Sequence, residues 1–203
     1  MSSFLSSSAS ITLIVLLSIL SFTTAFDLVD TDGDPIKNGG EYYIIPKSGG
    51  GGLTYTHDIC PHLIIQEKNE SSPGTPVKIY TPVLPDTIKL DQQISLSFKG
   101  PTECGESLVW THTKKNVTNM LLAKRFYITA GKDPMPVHIP FSITKTDKSL
   151  LPIYGLKYSI SVGEPSFNVG LFEDDGLLGI TTDSPTRVFF KKAFKVHLEL
   201  PTS

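Results

Sequence analysis

Three clusters of side chains have the composition that catalysis or ligation requires. His57, Cys60 and His62 fall within six residues and offer nitrogen and sulfur donors. A structural zinc site needs four such ligands, and no others stand nearby in the sequence. Asp30, Asp32 and Asp34 form an acidic turn without the ligand spacing or closing Glu of an EF-hand loop. Glu173, Asp174 and Asp175 precede Gly176 and read as a solvated turn. Glycoside hydrolysis needs two carboxylates at a set separation, and nothing in the sequence brings either acidic group to such a pair. The Gly-x-Ser-x-Gly elbow of serine hydrolases is absent. Gly49, Gly50, Gly51 and Gly52 lack the Gly-Lys-Ser/Thr of a phosphate-binding loop and read as a flexible surface turn. No metal, no cofactor and no enzymatic activity are expected.

The remaining chemistry is that of an exported chain. Residues 11–20 are an apolar run of signal-peptide length, followed by small residues at Thr23, Thr24 and Ala25, although no Lys or Arg precedes the run. Residues 1–25 are therefore expected to be removed, leaving residues 26–203 as a single domain. Export favours a disulfide between Cys60 and Cys104, which also argues against Cys60 as a nucleophile. Asn69-Glu70-Ser71 and Asn116-Val117-Thr118 are glycosylation acceptors. A formal net charge of -2, to which residues 1–25 contribute nothing, argues against a nucleic-acid binder, which normally carries a basic face. No later stretch is long and apolar enough to span a bilayer.

The elements that must position any site read as strands. Residues 94–99 and 194–200 alternate apolar and polar side chains, which places one face in a core and the other in water. Further short strands, rich in β-branched and aromatic residues and bounded by Gly, Pro, Asp and Ser, are expected at 41–45, 63–66, 77–80, 125–129, 137–144, 157–162 and 186–190. Only residues 119–125 offer a short helical turn. So many strands require closure, because open edges invite aggregation. Tyr42-Tyr43-Ile44, Phe141-Ser142-Ile143 and Tyr158-Ser159-Ile160 share a theme, but their uneven spacing does not by itself establish a repeat. Trp110 reads as core packing ahead of a sugar platform.

Residues 28–44 hold an apolar residue, Asp30, Gly33, Ile36, then Tyr42 and Ile44. This spaced pattern resembles the signature of the plant Kunitz, or soybean-trypsin-inhibitor, family. The resemblance continues through residues 46–53 and 59–61, 94–98, Cys104, Trp110, 168–171, 186–188 and 194–198, nearly the whole chain after residue 26. It implies an all-β fold, a β-trefoil of twelve strands in three four-stranded units, and a Cys60–Cys104 bridge. The family's usual second bridge has no counterpart, since Val162 and Ser166 stand at its places, and greater mobility is expected there. By the same resemblance the protein is a secreted plant protease inhibitor, apoplastic or vacuolar, acting in defence. Its expected partner is an extracellular serine endopeptidase or serine carboxypeptidase, with no nucleic acid, no membrane and a monomeric state.

Inhibitors of this class insert an exposed, extended loop into the protease cleft. The resemblance places that loop at residues 80–87, with Pro82, Val83, Leu84, Pro85 and Asp86 at its centre, Leu84 at P1 and Pro85 at P1′. It also places Asn38 beneath the loop, supporting it through the side-chain amide. Leu84 suits an apolar specificity pocket, not trypsin's. Pro85 restricts Leu84 to extended backbone and makes the bond between them a tertiary amide that is slow to cleave. A shifted register would make Lys78 a basic P1, although Val77 and Ile79 flank it as they would an outward strand residue. The alternatives are a non-inhibitory trefoil, for storage, sugar binding or defence signalling, and a hydrolase using exposed carboxylates.

Overall fold

Strands follow one another in three sets of four. The first set is β1 (Glu41–Pro46), β2 (Leu53–Tyr55), β3 (His62–Gln66) and β4 (Val77–Tyr80). The second is β5 (Gln93–Phe98), β6 (Trp110–His112), β7 (Phe126–Ala130) and β8 (Phe141–Lys145), and the third is β9 (Tyr154–Ser159), β10 (Ser166–Leu171), β11 (Leu178–Thr181) and β12 (Val188–Lys192). The structure, a computed structural model, describes residues 28–82, 86–100, 104, 108–113, 125–131, 139–146, 151–161 and 163–193. No helix forms among them. The expected leader at 1–25, the strand at 194–200 and most of the helical turn at 119–125 lie outside the described residues, as does Val162.

The first and last strands of each set close into a ring. Neighbours pair in the order β1, β4, β5, β8, β9 and β12, and β12 returns to β1 from Tyr42–Lys192 to Pro46–Val188 while touching β9 at Val188–Tyr154. The middle strands form hairpins β2–β3, β6–β7 and β10–β11, joined by β3–β7 and β7–β11 pairing. This is the β-trefoil that the resemblance implies. Closure leaves the ring without free edges.

Alternation fills the ring. Tyr42 and Ile44 of β1, Val77 and Ile79 of β4, Ile94 and Leu96 of β5, Phe141 and Ile143 of β8, Leu156 and Tyr158 of β9, and Val188 and Phe190 of β12 are all buried. Their partners one residue along face outward, as the period of two requires. Each such side chain contributes about 1.5–3 kcal/mol on burial. Trp110 is fully buried and packs against Phe98 and Phe141, so it belongs to the core.

Cys60 and Cys104 are bonded, with 44 residues of separation. The bridge ties the β2–β3 connection to the segment between β5 and β6. Closing a loop of that length removes roughly 4 kcal/mol of unfolded-chain entropy.

One sequence expectation changes. The four-glycine run is not a loose surface turn throughout, because Gly51 and Gly52 are buried. A Cβ on Gly52 would stand 1.9 Å from the Pro73 carbonyl oxygen, and one on Gly51 would stand 2.4 Å from that of Asn69. These glycines let two backbones meet. The aromatic–x–Ile theme, in turn, does not mark equivalent places. Its copies fall on β1, on β8 and at the end of β9, where Ile160 is exposed.

Candidate functional site

Residues 80–88, the end of β4 and most of its connection to β5, lean on residues 36–40, and the local sequence explains why. Asp30 is fully buried, and its Oδ1 accepts hydrogen bonds from the N–H groups of Asp32 and Asp34, at 2.9 and 3.0 Å. Lys192 adds an exposed ion pair to Asp34 at 3.8 Å. The turn so formed returns the chain past Ile36, whose N–H reaches the Leu28 carbonyl. Gly39 then takes a φ of +79°, a left-handed conformation that side-chain-bearing residues disfavour. Its N–H donates to the Ile79 carbonyl at 2.7 Å. The Tyr42 hydroxyl accepts from the Lys37 N–H at 2.9 Å. Burial raises the Tyr42 phenol above its ordinary pKa, the Lys37 N–H opposes this, and Asp30 and Asp34 add to the rise. The hydroxyl therefore stays neutral at physiological pH.

Asn38 holds both ends of the loop. Its Nδ2 donates to the Thr81 carbonyl and its Oδ1 accepts from the Thr81 N–H, both at 3.0 Å. Its own backbone N–H donates to the Asp86 carbonyl at 2.9 Å. One residue thus fixes Thr81 on one side and Asp86 on the other. Further out, Lys37 bridges Thr87, and the Ile88 N–H donates to the Ile36 carbonyl at 2.8 Å. Gln92 completes the base, with its Nε2 on the Thr81 hydroxyl at 3.3 Å and its Oε1 accepting from the Lys89 N–H at 2.9 Å.

Exposure divides at this clamp. Thr81 is buried, whereas Tyr80 is 44% exposed and Pro82 and Asp86 face solvent. Val83, Leu84 and Pro85 lie outside the described residues. Lys78 is exposed but sits within β4, paired with Glu41 on one side and Ser97 on the other. The sequence placed Asn38 beneath the loop and Thr81 within it, but showed neither the bonds between them nor the part of Gln92. No motif marks them, and the only available signal was a threonine directly after an alternating strand.

The legume Kunitz family model, described as trypsin and protease inhibitor, matches residues 28–192. The chain belongs to the Kunitz family of protease inhibitors. Members of this family act on enzymes as inhibitors and are not themselves enzymes. Trypsin inhibitor 2 of Psophocarpus tetragonolobus is 32% identical over 180 residues, covering 82% of this chain and 97% of the relative. The solved trypsin inhibitor 1 from Senna obtusifolia is 31% identical, with a TM-score of 0.65, over 83% of this chain and 99% of its own. The water-soluble chlorophyll protein from Brassica oleracea, solved with chlorophyll b, is 26% identical with a TM-score of 0.67 over the same shares.

The other candidate groups of this Kunitz chain are occupied by structural contacts. Cys60 is in the bridge, His62 is buried in β3, and the Tyr55 ring packs against both His57 and His62. Among the described residues no group of three or more His, Cys, Asp or Glu gathers to hold a metal. Both carboxylate oxygens of Asp174 accept from Arg125 Nη1 at 2.9 Å, which raises the guanidinium pKa, and Arg125 lies over the Phe172 ring at 4.4 Å. Asp175 accepts from the Leu177 N–H at 2.9 Å. Asn69 is exposed, and its Oδ1 accepts from both the N–H and the hydroxyl of Ser71. Asn116 lies outside the described residues.

Proposed function

We propose that this Kunitz-family protein inhibits a serine protease with an apolar specificity pocket, docking through residues 80–87 with Leu84 at P1. The observation that carries this reading is the double hold of Asn38 on Thr81 and Asp86. A segment fixed at both ends loses little conformational entropy on docking, and that saving appears as affinity. Pro82 and Pro85 restrict the intervening backbone, and Pro85 favours the extended form at Leu84 that a protease cleft accepts. Lys78 is a poorer P1, because both neighbours of β4 pair with it and Ile79 is fully buried. The chain is exported through cleavage after Ala25, and residues 26–203 act as one monomeric domain in the apoplast or vacuole, in defence. The exposed turn at Asn69 suits glycan attachment, and Asn116 is the second acceptor.

A second reading has two features in its favour. The Leu84-Pro85 bond resists cleavage, and a chain of similar fold, the Brassica oleracea protein, was solved with chlorophyll b. A non-inhibitory trefoil is the corresponding function. Titration of residues 26–203 against trypsin, chymotrypsin, elastase, subtilisin, a serine carboxypeptidase and papain separates the two. Tightest inhibition is expected among chymotrypsin, elastase and subtilisin, with trypsin at least about tenfold weaker, the free-energy equivalent of burying one well-fitted apolar side chain. Inhibition of none of the six supports the non-inhibitory reading.

A further inference from the structure

A second surface feature has a different chemistry. A groove of about 430 Å³ opens on the flank of the third unit, lined by residues of β8, β9, β10 and the segment before β12. Lys145, Lys157 and Arg187 line it together with Thr144, Asn168 and Ser184, and no carboxylate does. It shares no lining residue with the 80–88 segment or with the 36–40 segment beneath it.

The three cations are placed by the fold. Lys145 Nζ donates to the Leu151 carbonyl at 2.6 Å and lies 5.1 Å from the centre of the Tyr154 ring. Lys157 sits in β9 between Ser142 of β8 and Asn168 of β10. The Arg187 backbone is fixed by its carbonyl, which accepts from the Lys47 N–H at 2.7 Å, and its side chain is exposed. The Asn168 amide donates to the Asp183 carbonyl at 2.7 Å and holds the rim. The ion pairs formed among the described residues are Lys99–Glu41, Arg125–Asp174 and Lys192–Asp34, so none neutralises the groove.

Three like charges gathered without an ion-pair partner among the described residues focus a positive potential into a concave site. Lysine and arginine give charge-assisted hydrogen bonds to phosphate and sulfate oxygens, and hydroxyls and an amide supply neutral donors beside them. The volume lies within the range of small-molecule sites, roughly 300–1,000 Å³, but the lining is polar and selects a polar ligand. We infer that this groove binds a polyanion bearing clustered phosphate or sulfate esters, at a place separate from the protease-docking loop.

Calorimetry on residues 26–203 tests this with two probes, inositol hexakisphosphate for a soluble phosphate ester and dextran sulfate for a sulfated chain. Inositol and uncharged dextran serve as blanks. At least one charged probe is expected to bind, and which one it is identifies the source. Affinity should fall at least about tenfold between roughly 50 and 200 mM salt, because exposed charges are screened over that range. Lys157→Gln/Arg187→Gln should weaken the bound probe at least about tenfold, while Lys68→Gln, on the exposed turn beside Asn69, leaves it unchanged. Unchanged thermal melting of the double variant without probe establishes that it is folded. If that variant fails to fold, Lys157→Gln alone carries the test and should weaken binding at least about threefold. Absence of binding by both charged probes overturns the inference. So does binding that is indifferent to salt, or equal in wild type and the folded groove variant.

Discussion

Replacing Leu84 with arginine is expected to tighten inhibition of trypsin by at least about 100-fold, equivalent to roughly 2.7 kcal/mol. Trypsin's specificity pocket carries a buried aspartate that recognises a basic P1 side chain. Leucine leaves that carboxylate without a partner, whereas arginine supplies one. The same substitution should weaken inhibition of the apolar-pocket protease by a comparable factor. There the guanidinium loses its hydration without gaining a partner charge, and an uncompensated buried charge costs several kcal/mol. The apolar contact of the leucine, worth about 1.5–3 kcal/mol, is lost as well. Pro85 remains in the variant, so cleavage by trypsin should stay slow and the complex should persist. Inhibition constants of wild type and Leu84→Arg against both enzymes check this. Constants that do not move on either enzyme place the reactive bond elsewhere.

Asn38→Ala should weaken inhibition of the preferred protease by about 10- to 100-fold without touching any residue that enters its cleft. Two hydrogen bonds disappear, and the Thr81 N–H and carbonyl lose their partners in a half-buried setting. Each group so stranded costs about 1–3 kcal/mol. Part of that cost is relieved when the loop relaxes, and relaxation is what harms affinity, because the freed segment must be reordered on docking. Asn38→Asp separates the two halves of the clamp. Its carboxylate still accepts from the Thr81 N–H but faces the Thr81 carbonyl without a proton to donate. Its loss should therefore approach that of alanine. Stopped-flow kinetics with the protease should show the loss mainly as faster dissociation, with a modest fall in melting temperature. A large fall in melting temperature with unchanged inhibition would make Asn38 a fold residue only.

The barrel was legible where alternation is clean. Residues 41–45, 77–80 and 94–99 agree with β1, β4 and β5 to within a residue at each end, because Val77 and Ile79 flank Lys78, Ile94 and Leu96 flank Ser95, and residues 41–45 are rich in aromatic and β-branched side chains. Four strands were missed. β2 and β6 are three residues long, too short to show a period. β10 and β11 carry Gly170 opposite Gly179, which blanks the pattern at the centre of the hairpin. β9 begins at Tyr154, earlier than the expected 157, since Pro152 and Gly155 obscure its start. β12 runs two residues later than expected, because Lys191 and Lys192 read as the end of a strand yet pair with Tyr43 and Tyr42. At the site, Asn38 was recognisable through its place in a spaced motif. Its bond to Thr81 spans 43 residues and depends on the ring bringing β1 beside β4, which no local pattern encodes.

Hydrogen exchange of residues 26–203, free and bound to the tightest protease of the panel, bears most directly on the docking surface. Amides of residues 79–88, with those of 36–40 beneath them, should gain protection in the complex, while residues 157–170 on the third unit exchange as in the free protein. Protection confined to the third unit, with residues 79–88 exchanging unchanged, would contradict the account.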